Sequence, residues 1–158
     1  PDCIPKHREF QVSLELAMEY LARTGRSFRA ERVPLCYMRR FAHCSTETRK
    51  IVKEEERCIK FLDQKGFVHQ LEFLHGKGSA CDVCRWDSIC AGMYSMAKTF
   101  DERELSPIFE PPDSVIRAVL GREPEPDLMD RIEARRGRRS RTEQPSEEQR
   151  ATKRKTAL

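Results

Sequence analysis

The first long amphipathic stretch of the chain runs from Phe10 to Thr24. Its apolar side chains recur every three or four residues, and polar side chains fill one stripe between them. Gly25 follows, and glycine suits a helix end because it adopts left-handed backbone angles without strain. The pattern therefore predicts a helix packed on most of its circumference, with apolar positions at Phe10, Val12, Leu14, Leu16, Ala17, Met18 and Leu21.

Extended structure is predicted after this helix. Residues 28–35 are predicted to form a short extended segment in which Pro34 favours extended geometry at its neighbour, which puts Cys36 at a strand end or edge. Farther along, residues 58–62 and 67–73 carry aromatic and β-branched side chains on either side of a turn that ends in Gly66. These two segments predict a β-hairpin that leads into the cysteine-rich loop.

Two short helices complete the predicted α+β fold. Four apolar residues at helical spacing, Met93, Met96, Ala97 and Phe100, predict a helix after the cysteine-rich loop. Residues 112–120 predict another, with a proline near its start and Gly121 at its end. The expected order is an N-terminal helix, a short edge strand, a hairpin, a cysteine-rich loop, short C-terminal helices and a disordered tail.

Composition explains why a disordered tail is expected. The apolar class makes up 38% of the chain and charged residues 35%, whereas a soluble domain usually has roughly 45–50% apolar residues. The deficit lies in residues 122–158, which mix basic and acidic side chains. The arginine-rich run at 135–139 is suited to nucleic-acid phosphates, but its mixed-charge surroundings favour a solvated tail, so nucleic acid is disfavoured as a partner.

Neither a long apolar run nor a secretory leader is present in the sequence given, so we expect no membrane partner and a cytoplasmic location. In a reducing compartment, seven cysteines with three bunched together favour metal binding over disulfides. Proline at position 1 and a first methionine at Met18 suggest a piece of a longer protein.

Cys81, Cys84 and Cys90 follow the spacing C-x-x-C-x5-C and are the strongest functional signal in the chain. Two thiolates two residues apart can bind one metal centre, and a third can close around it. A thiol redox site at Cys81 and Cys84 is the weaker interpretation, because the predicted strand-to-helix setting of such sites is missing.

The spacing of the cysteines does not identify the fourth ligand. Closing a long loop costs far less free energy than structural metal binding provides, so distance along the chain excludes no candidate. Zinc modules usually supply two ligand pairs, whereas three clustered cysteines and one distant partner suit a [4Fe–4S] cubane, with zinc as the alternative. Candidates for the fourth position are Cys3, Cys36, Cys44, Cys58, His43, His69 and His75. Trp86, inside the loop, either shields the metal or fills space, and His43, His75 and Tyr94 are candidate hydrogen-bond donors to it.

Three stretches of residues 1–110 together resemble the C-terminal auxiliary-cluster region of radical SAM proteins, the SPASM and twitch extensions. They are Val33-Pro34-Leu35-Cys36, the loop from Cys81 to Tyr94, and Glu104-Leu105-Ser106-Pro107-Ile108. The resemblance implies that Cys36, Cys81, Cys84 and Cys90 ligate one [4Fe–4S] cluster used for electron transfer or structural support. It also implies that residues 1–25 end a truncated barrel and that residues 26–110 form the cluster domain, which the short helix predicted within residues 111–121 follows.

The chain departs from that family in two ways. Tyr94 stands where a full SPASM motif has another cysteine, so one auxiliary cluster is expected. The C-x3-C-x-x-C triad that would bind S-adenosylmethionine at a cluster is absent from the sequence given. We therefore expect no catalysis by this chain alone, no catalytic residues in it, and S-adenosylmethionine only if a barrel is supplied upstream.

The implied partners are an upstream radical SAM barrel or partner subunit and an electron donor such as ferredoxin or flavodoxin. From another functional class, the alternative is a zinc-stabilised binding module whose arginine-rich tail contacts nucleic acid.

Overall fold

The computed structural model describes residues 5–55, 57–61, 66–70, 75–94, 96 and 99–142. Helices predominate among these residues, and the strands are limited to one short antiparallel pair. The chain divides into two compact units, Pro1–Pro124 and Glu125–Leu158, and each is described by itself. The α+β prediction therefore holds only in part, since the strand content is small.

The N-terminal helix, α1, spans His7–Arg23 and confirms the helix predicted from periodicity. Gly25 follows it with a φ of 69°, as expected for the left-handed end of a helix. Met18 is buried, but Val12 and Leu16 are 68% and 62% exposed. The prediction that α1 packs on most of its circumference is therefore wrong for the described part of the chain.

Residues 28–35 do not form the predicted edge strand. Ala30 makes a single bridge to Ser45, and Arg32 then takes a φ of 61°. The buried carboxylate of Glu47 accepts a hydrogen bond from the Arg32 backbone N–H at 3.0 Å. This kink ends the extended run because a strand needs negative φ angles throughout.

Two 3₁₀ segments, Leu35–Tyr37 and Arg39–Cys44, lead into helix α2, which spans Thr46–Val52. Ser45 caps α2 by accepting a hydrogen bond from the Thr48 backbone N–H at 3.2 Å. The buried hydroxyl of Thr48 donates to the Ile89 carbonyl at 2.9 Å. Because Ile89 belongs to the cysteine-rich loop, this bond ties the loop to α2.

Strands β1, Arg57–Phe61, and β2, Gly66–Gln70, pair antiparallel where the sequence predicts a hairpin. Ile59 lies opposite Val68 in this register. The predicted turn residues 63–65 and the flanking ends 62 and 71–73 lie outside the described residues.

The predicted helix at 93–100 is wrong for the residues that the structure describes there. Met93 pairs with Gly76 through two backbone hydrogen bonds, and Met96 bridges to Phe100. Gly92 has a φ of 96°, which helical backbone does not allow. Long-range backbone pairing thus overrides the helical spacing of the apolar residues; Ala97 lies outside the described part.

Helix α3, Asp113–Leu120, confirms the short helix predicted at residues 112–120. Gly121 follows with a φ of 70°, and its N–H donates to the Arg117 carbonyl at 2.8 Å. Val115, Ile116 and Val119 are buried on one side of the helix. Along the described part of the chain, no helix combines the length and the apolar composition needed to cross a bilayer.

The tail prediction needs a correction in the second unit, where helix α4 spans Leu128–Thr142. Arg131 donates to the Asp127 carboxylate at 2.6 Å and to Glu125 at 3.1 Å, which supports the first turn. Leu128 and Ile132, four residues apart, are buried. Mixed charge therefore did not prevent a helix here, and residues 143–158 lie outside the described part.

Candidate metal centre

Cys36 is held in the 3₁₀ turn Leu35–Tyr37, which Pro34 opens by accepting a hydrogen bond from the Tyr37 N–H at 3.0 Å. The Tyr37 hydroxyl donates to the Glu104 carbonyl at 2.5 Å and anchors the turn from the other side. Cys36 itself is half-buried. The backbone around this thiol is thus fixed by contacts on both flanks, although not by the predicted strand.

The other three predicted ligands lie on consecutive turns. Cys81 ends a 3₁₀ turn, and its carbonyl accepts a hydrogen bond from the Cys84 N–H at 3.1 Å. Cys90 follows a further turn, where its N–H donates to the Trp86 carbonyl at 3.0 Å. Local backbone bonds therefore set the positions of all three cysteines, in agreement with their short spacing.

All four predicted ligands, Cys36, Cys81, Cys84 and Cys90, line one cavity of about 310 Å³, measured with its open mouth. We call this site the cysteine cavity. Its other lining residues are Pro34, Leu35, Lys77, Trp86, Asp87, Gly92, Leu105, Ser106 and Ile108. Cys36 thus lines the same cavity as Cys81, Cys84 and Cys90, although a long stretch of chain separates it from them.

The remaining candidates for the fourth position do not line this cavity where they are described. Cys44 is buried elsewhere, His43 lines a separate open pocket, and His75 lies against the Tyr94 ring. Cys3 and the side chains of Cys58 and His69 lie outside the described part. All five described cysteine side chains are free thiols.

Hydrogen-bond donors surround the sulfur atoms of the cysteine cavity. The Gly92 N–H donates to Cys90 Sγ at 3.4 Å, and the Ile108 N–H donates to Cys84 Sγ at 3.3 Å. The Gly78 backbone acts on Cys81, and Ser106 acts on Cys36, in the same direction, because each lowers the pKa of the thiol. Donors of this kind stabilise negative charge on sulfur and are typical of metal-bound thiolates.

Burial raises the pKa of the Cys36 thiol, and hydrogen bonds from Ser106 partly oppose that shift. The pKa of Cys81 is also raised by burial, while the Gly78 backbone and the Lys77 ammonium act to lower it. Cys90 raises both pKa values further, because a second thiolate nearby disfavours charge on the first. The cavity thus brings together thiols whose charges repel unless a cation lies between them.

The Lys77 side chain stabilises the cysteine-rich loop through three hydrogen bonds. Its ammonium donates to the Asp87 carboxylate at 2.7 Å, to the Asp87 carbonyl at 3.1 Å and to the Cys90 carbonyl at 2.7 Å. The side chains of Lys77 and Asp87 are only 22% and 30% exposed. One side chain therefore links the strand-like segment before Cys81 to the end of the cysteine loop.

Gly92 lies where no side chain fits. A Cβ atom there would collide with the carbonyl oxygen of Gly76, and the φ of 96° disfavours any side chain. The close approach allows Gly76 and Met93 to exchange two backbone hydrogen bonds, at 3.1 and 2.8 Å. The Ala91-Gly92 pair after Cys90 thus closes the loop against the preceding segment.

Sequence reasoning missed several members of the site. Lys77, Ser106 and the backbone N–H of Ile108 contribute directly to the cavity, yet only Ser106 and Ile108 lie in a stretch that the family resemblance includes. His43, His75 and Tyr94, the expected donors, do not line it. Over the part of the chain that the structure describes, no three Cys, His, Asp or Glu side chains stand close enough together to hold a single metal ion.

Comparisons of the chain with protein-family models, with curated proteins and with solved structures give no significant match.

Proposed function

We propose that this chain binds one [4Fe–4S] cluster through Cys36, Cys81, Cys84 and Cys90. The observation that carries the proposal is that Cys36 lines the same cavity as the triplet. Spacing alone groups only Cys81, Cys84 and Cys90, so the fourth thiol is an independent observation.

The residues of the cysteine cavity fit such a cluster. A cubane takes one thiolate on each iron, so its four ligands line a cavity instead of meeting at one point. N–H donors to the sulfurs, such as those of Gly92 and Ile108, are among the features that set the reduction potential of these clusters. Apolar walls formed by Leu35, Leu105 and Ile108 limit access of water.

With four protein thiolates as ligands, every iron is occupied, so we assign the cluster to electron transfer or structural support. When bound, it supplies one-electron redox chemistry. The protein's own contribution is to orient the thiols, exclude water and place Lys77 beside them. Direct binding of a substrate to the cluster would need a vacant iron, and hence a Cys36 that is not a ligand.

We propose further that the chain works as the C-terminal portion of a radical SAM enzyme. An exposed apolar row on α1 supports a partner there, since Val12, Leu16 and Tyr20 are 68%, 62% and 64% exposed at spacings of four residues. Such a row is suited to packing against an upstream barrel or partner subunit. An electron donor such as ferredoxin or flavodoxin would complete the system.

The test compares Cys36→Ala with Cys44→Ala after anaerobic reconstitution with iron and sulfide. Cys44 is a matched control because it is a buried free thiol that does not line the cavity. We expect Cys36→Ala to lose iron and visible absorbance relative to the unaltered chain, and Cys44→Ala to retain both. Full iron in Cys36→Ala, or equal loss in both variants, would contradict the proposed ligand set.

A further inference from the structure

Trp86 forms part of the wall of the cysteine cavity. It lies between Cys84 and Cys90 in sequence and is 3% exposed. Its carbonyl accepts hydrogen bonds from the N–H groups of Ile89 and Cys90, at 3.2 and 3.0 Å. The position of the indole is therefore fixed by the same turn that positions Cys90.

The indole N–H of Trp86 is an unpaired donor. Nε1 is buried and has no hydrogen-bond partner among the described residues. Buried donors in folded proteins are nearly always paired, because leaving one unpaired forfeits the hydrogen bond it made with water. An unpaired donor in the wall of a binding cavity therefore indicates that its acceptor belongs to a bound group.

Trp86 also lines a second pocket, which does not supply that acceptor. This pocket is open, has a volume of about 860 Å³ and is lined by Arg39, Arg40, His43, Glu110, Ser114 and Val115 as well as Trp86. A donor facing it would be accessible to water, whereas Nε1 is shielded from solvent. The narrower cysteine cavity is thus the side on which the donor's partner is expected.

The cysteine sulfurs are not that acceptor either. Nε1 makes no hydrogen bond to any of them. Cys90 and Cys84 instead accept hydrogen bonds from the Gly92 and Ile108 N–H groups. A cubane bound in the cavity would carry inorganic sulfides, and these accept hydrogen bonds.

We propose that the Trp86 indole N–H donates a hydrogen bond to an inorganic sulfide of the bound cluster and so raises its reduction potential. This inference rests on the proposed function, because it needs the cluster in the cavity. A donor to sulfide stabilises the reduced, more negative cluster over the oxidised one. Trp86 is thus a tuning residue, and it does not ligate metal.

The test uses two replacements that remove the N–H. Trp86→Phe keeps an aromatic ring, and because the chain has one tryptophan, growth on the tryptophan analogue β-(3-benzothienyl)alanine replaces only this N–H with sulfur and keeps the ring shape. The control, Tyr94→Phe, removes a hydroxyl group from a ring that packs against His75 and does not line the cavity. Each full-length protein is reconstituted anaerobically and titrated with a one-electron chemical reductant while iron is measured.

At a fixed solution potential, we expect the ratio of reduced to oxidised cluster to fall about tenfold in both tryptophan replacements, the size expected for one lost hydrogen bond to a charged group. The ratio should stay unchanged in Tyr94→Phe. An unchanged ratio in the analogue-containing protein, with full iron content, would overturn the inference. If Trp86→Phe fails to fold, the analogue decides alone. An unaltered chain that binds no iron and sulfide would instead overturn the proposed function. Metal analysis gives this result before any reductant is added.

Discussion

The cysteine cavity and the cluster around His7 both keep polar side chains away from water, but they are built in opposite ways. In the His7 cluster, the imidazole lies 4.2 Å from the ring of Phe100, 5.1 Å from Tyr37 and 5.4 Å from Phe10, measured between centroids. The Glu104 carboxylate accepts from the His7 backbone N–H at 2.7 Å and lies 3.6 Å from Nδ1. Side chains from distant segments thus pack around the imidazole.

The cysteine cavity, in contrast, is built from turns whose backbone N–H groups donate to sulfur, and its walls do not close on one another. Packed side chains hold the His7 cluster together, whereas backbone hydrogen bonds and one lysine hold the cavity open. The difference is the one expected between a packed structural cluster and the cluster-binding site proposed above. It also predicts which changes should damage each region.

The largest effect is expected for Gly92→Ala, because the added methyl group meets the Gly76 carbonyl oxygen and the backbone φ is 96°. We expect a loss of about 3 kcal/mol in the free energy of unfolding, together with reduced iron uptake, measured by denaturant unfolding and metal analysis. Gly25→Ala is the matched control: its φ is 69° and no atom lies within 4 Å of the added Cβ. Its cost should stay near 1 kcal/mol. Equal costs in the two variants would show that the close approach at Gly92 is unimportant.

The next effect is expected for Lys77→Met, which removes the bonds to Asp87 and to the Cys90 carbonyl while keeping the length of the side chain. We expect a loss of about 2 kcal/mol in the free energy of unfolding, since hydrogen bonds to charged groups are worth about 1.5–3 kcal/mol. Denaturant unfolding of the metal-free protein measures it. Lys53→Met serves as control, because Lys53 makes only a 4.0 Å ion pair with Glu55 at the surface. A Lys77→Met protein as stable as the Lys53→Met protein would show that Lys77 does not stabilise the loop.

The smallest effect concerns the His7 cluster and appears as pH dependence. Burial lowers the pKa of His7, and Glu104 only partly opposes this. The unfolded chain therefore takes up a proton near pH 6.5, while the folded chain does so only at lower pH. The contribution of His7 to stability is complete above pH 6.5 and is lost as the pH falls toward its folded pKa.

We accordingly expect His7→Gln to flatten the fall in stability between pH 7.5 and pH 5, compared with the unaltered chain in the same buffers. The profile should not become level, because burial lowers the pKa of His43 and His75 as well. Thermal unfolding across this range measures the slope. A slope identical to that of the unaltered chain would mean that burial in the His7 cluster does not disfavour protonation of the His7 imidazole.

The same contrast explains what the sequence can predict. Helices α1 and α3 follow from local periodicity and from the glycines that end them, and the structure has both. The cysteine triplet is equally local. The helix expected at 93–100 and the strand expected at 28–35 fail because distant groups, the Gly76 backbone and the Glu47 carboxylate, determine the local geometry.

The distant parts of the site were beyond the reach of pattern reasoning for the same reason. Spacing left seven candidates for the fourth ligand; the family resemblance named Cys36, and the fold brings that residue to the cavity. Backbone donors such as the Ile108 N–H leave no trace in residue type. His7 and Glu104 are 97 residues apart, and no periodicity relates them.

The proposal that four cysteines bind one [4Fe–4S] cluster can be tested by counting metal and sulfide in the full chain. The chain is first reconstituted anaerobically with iron and sulfide in the presence of competing zinc. We expect about four iron and four sulfide per chain, with broad visible absorbance. A colourless protein that contains zinc and no sulfide would contradict it.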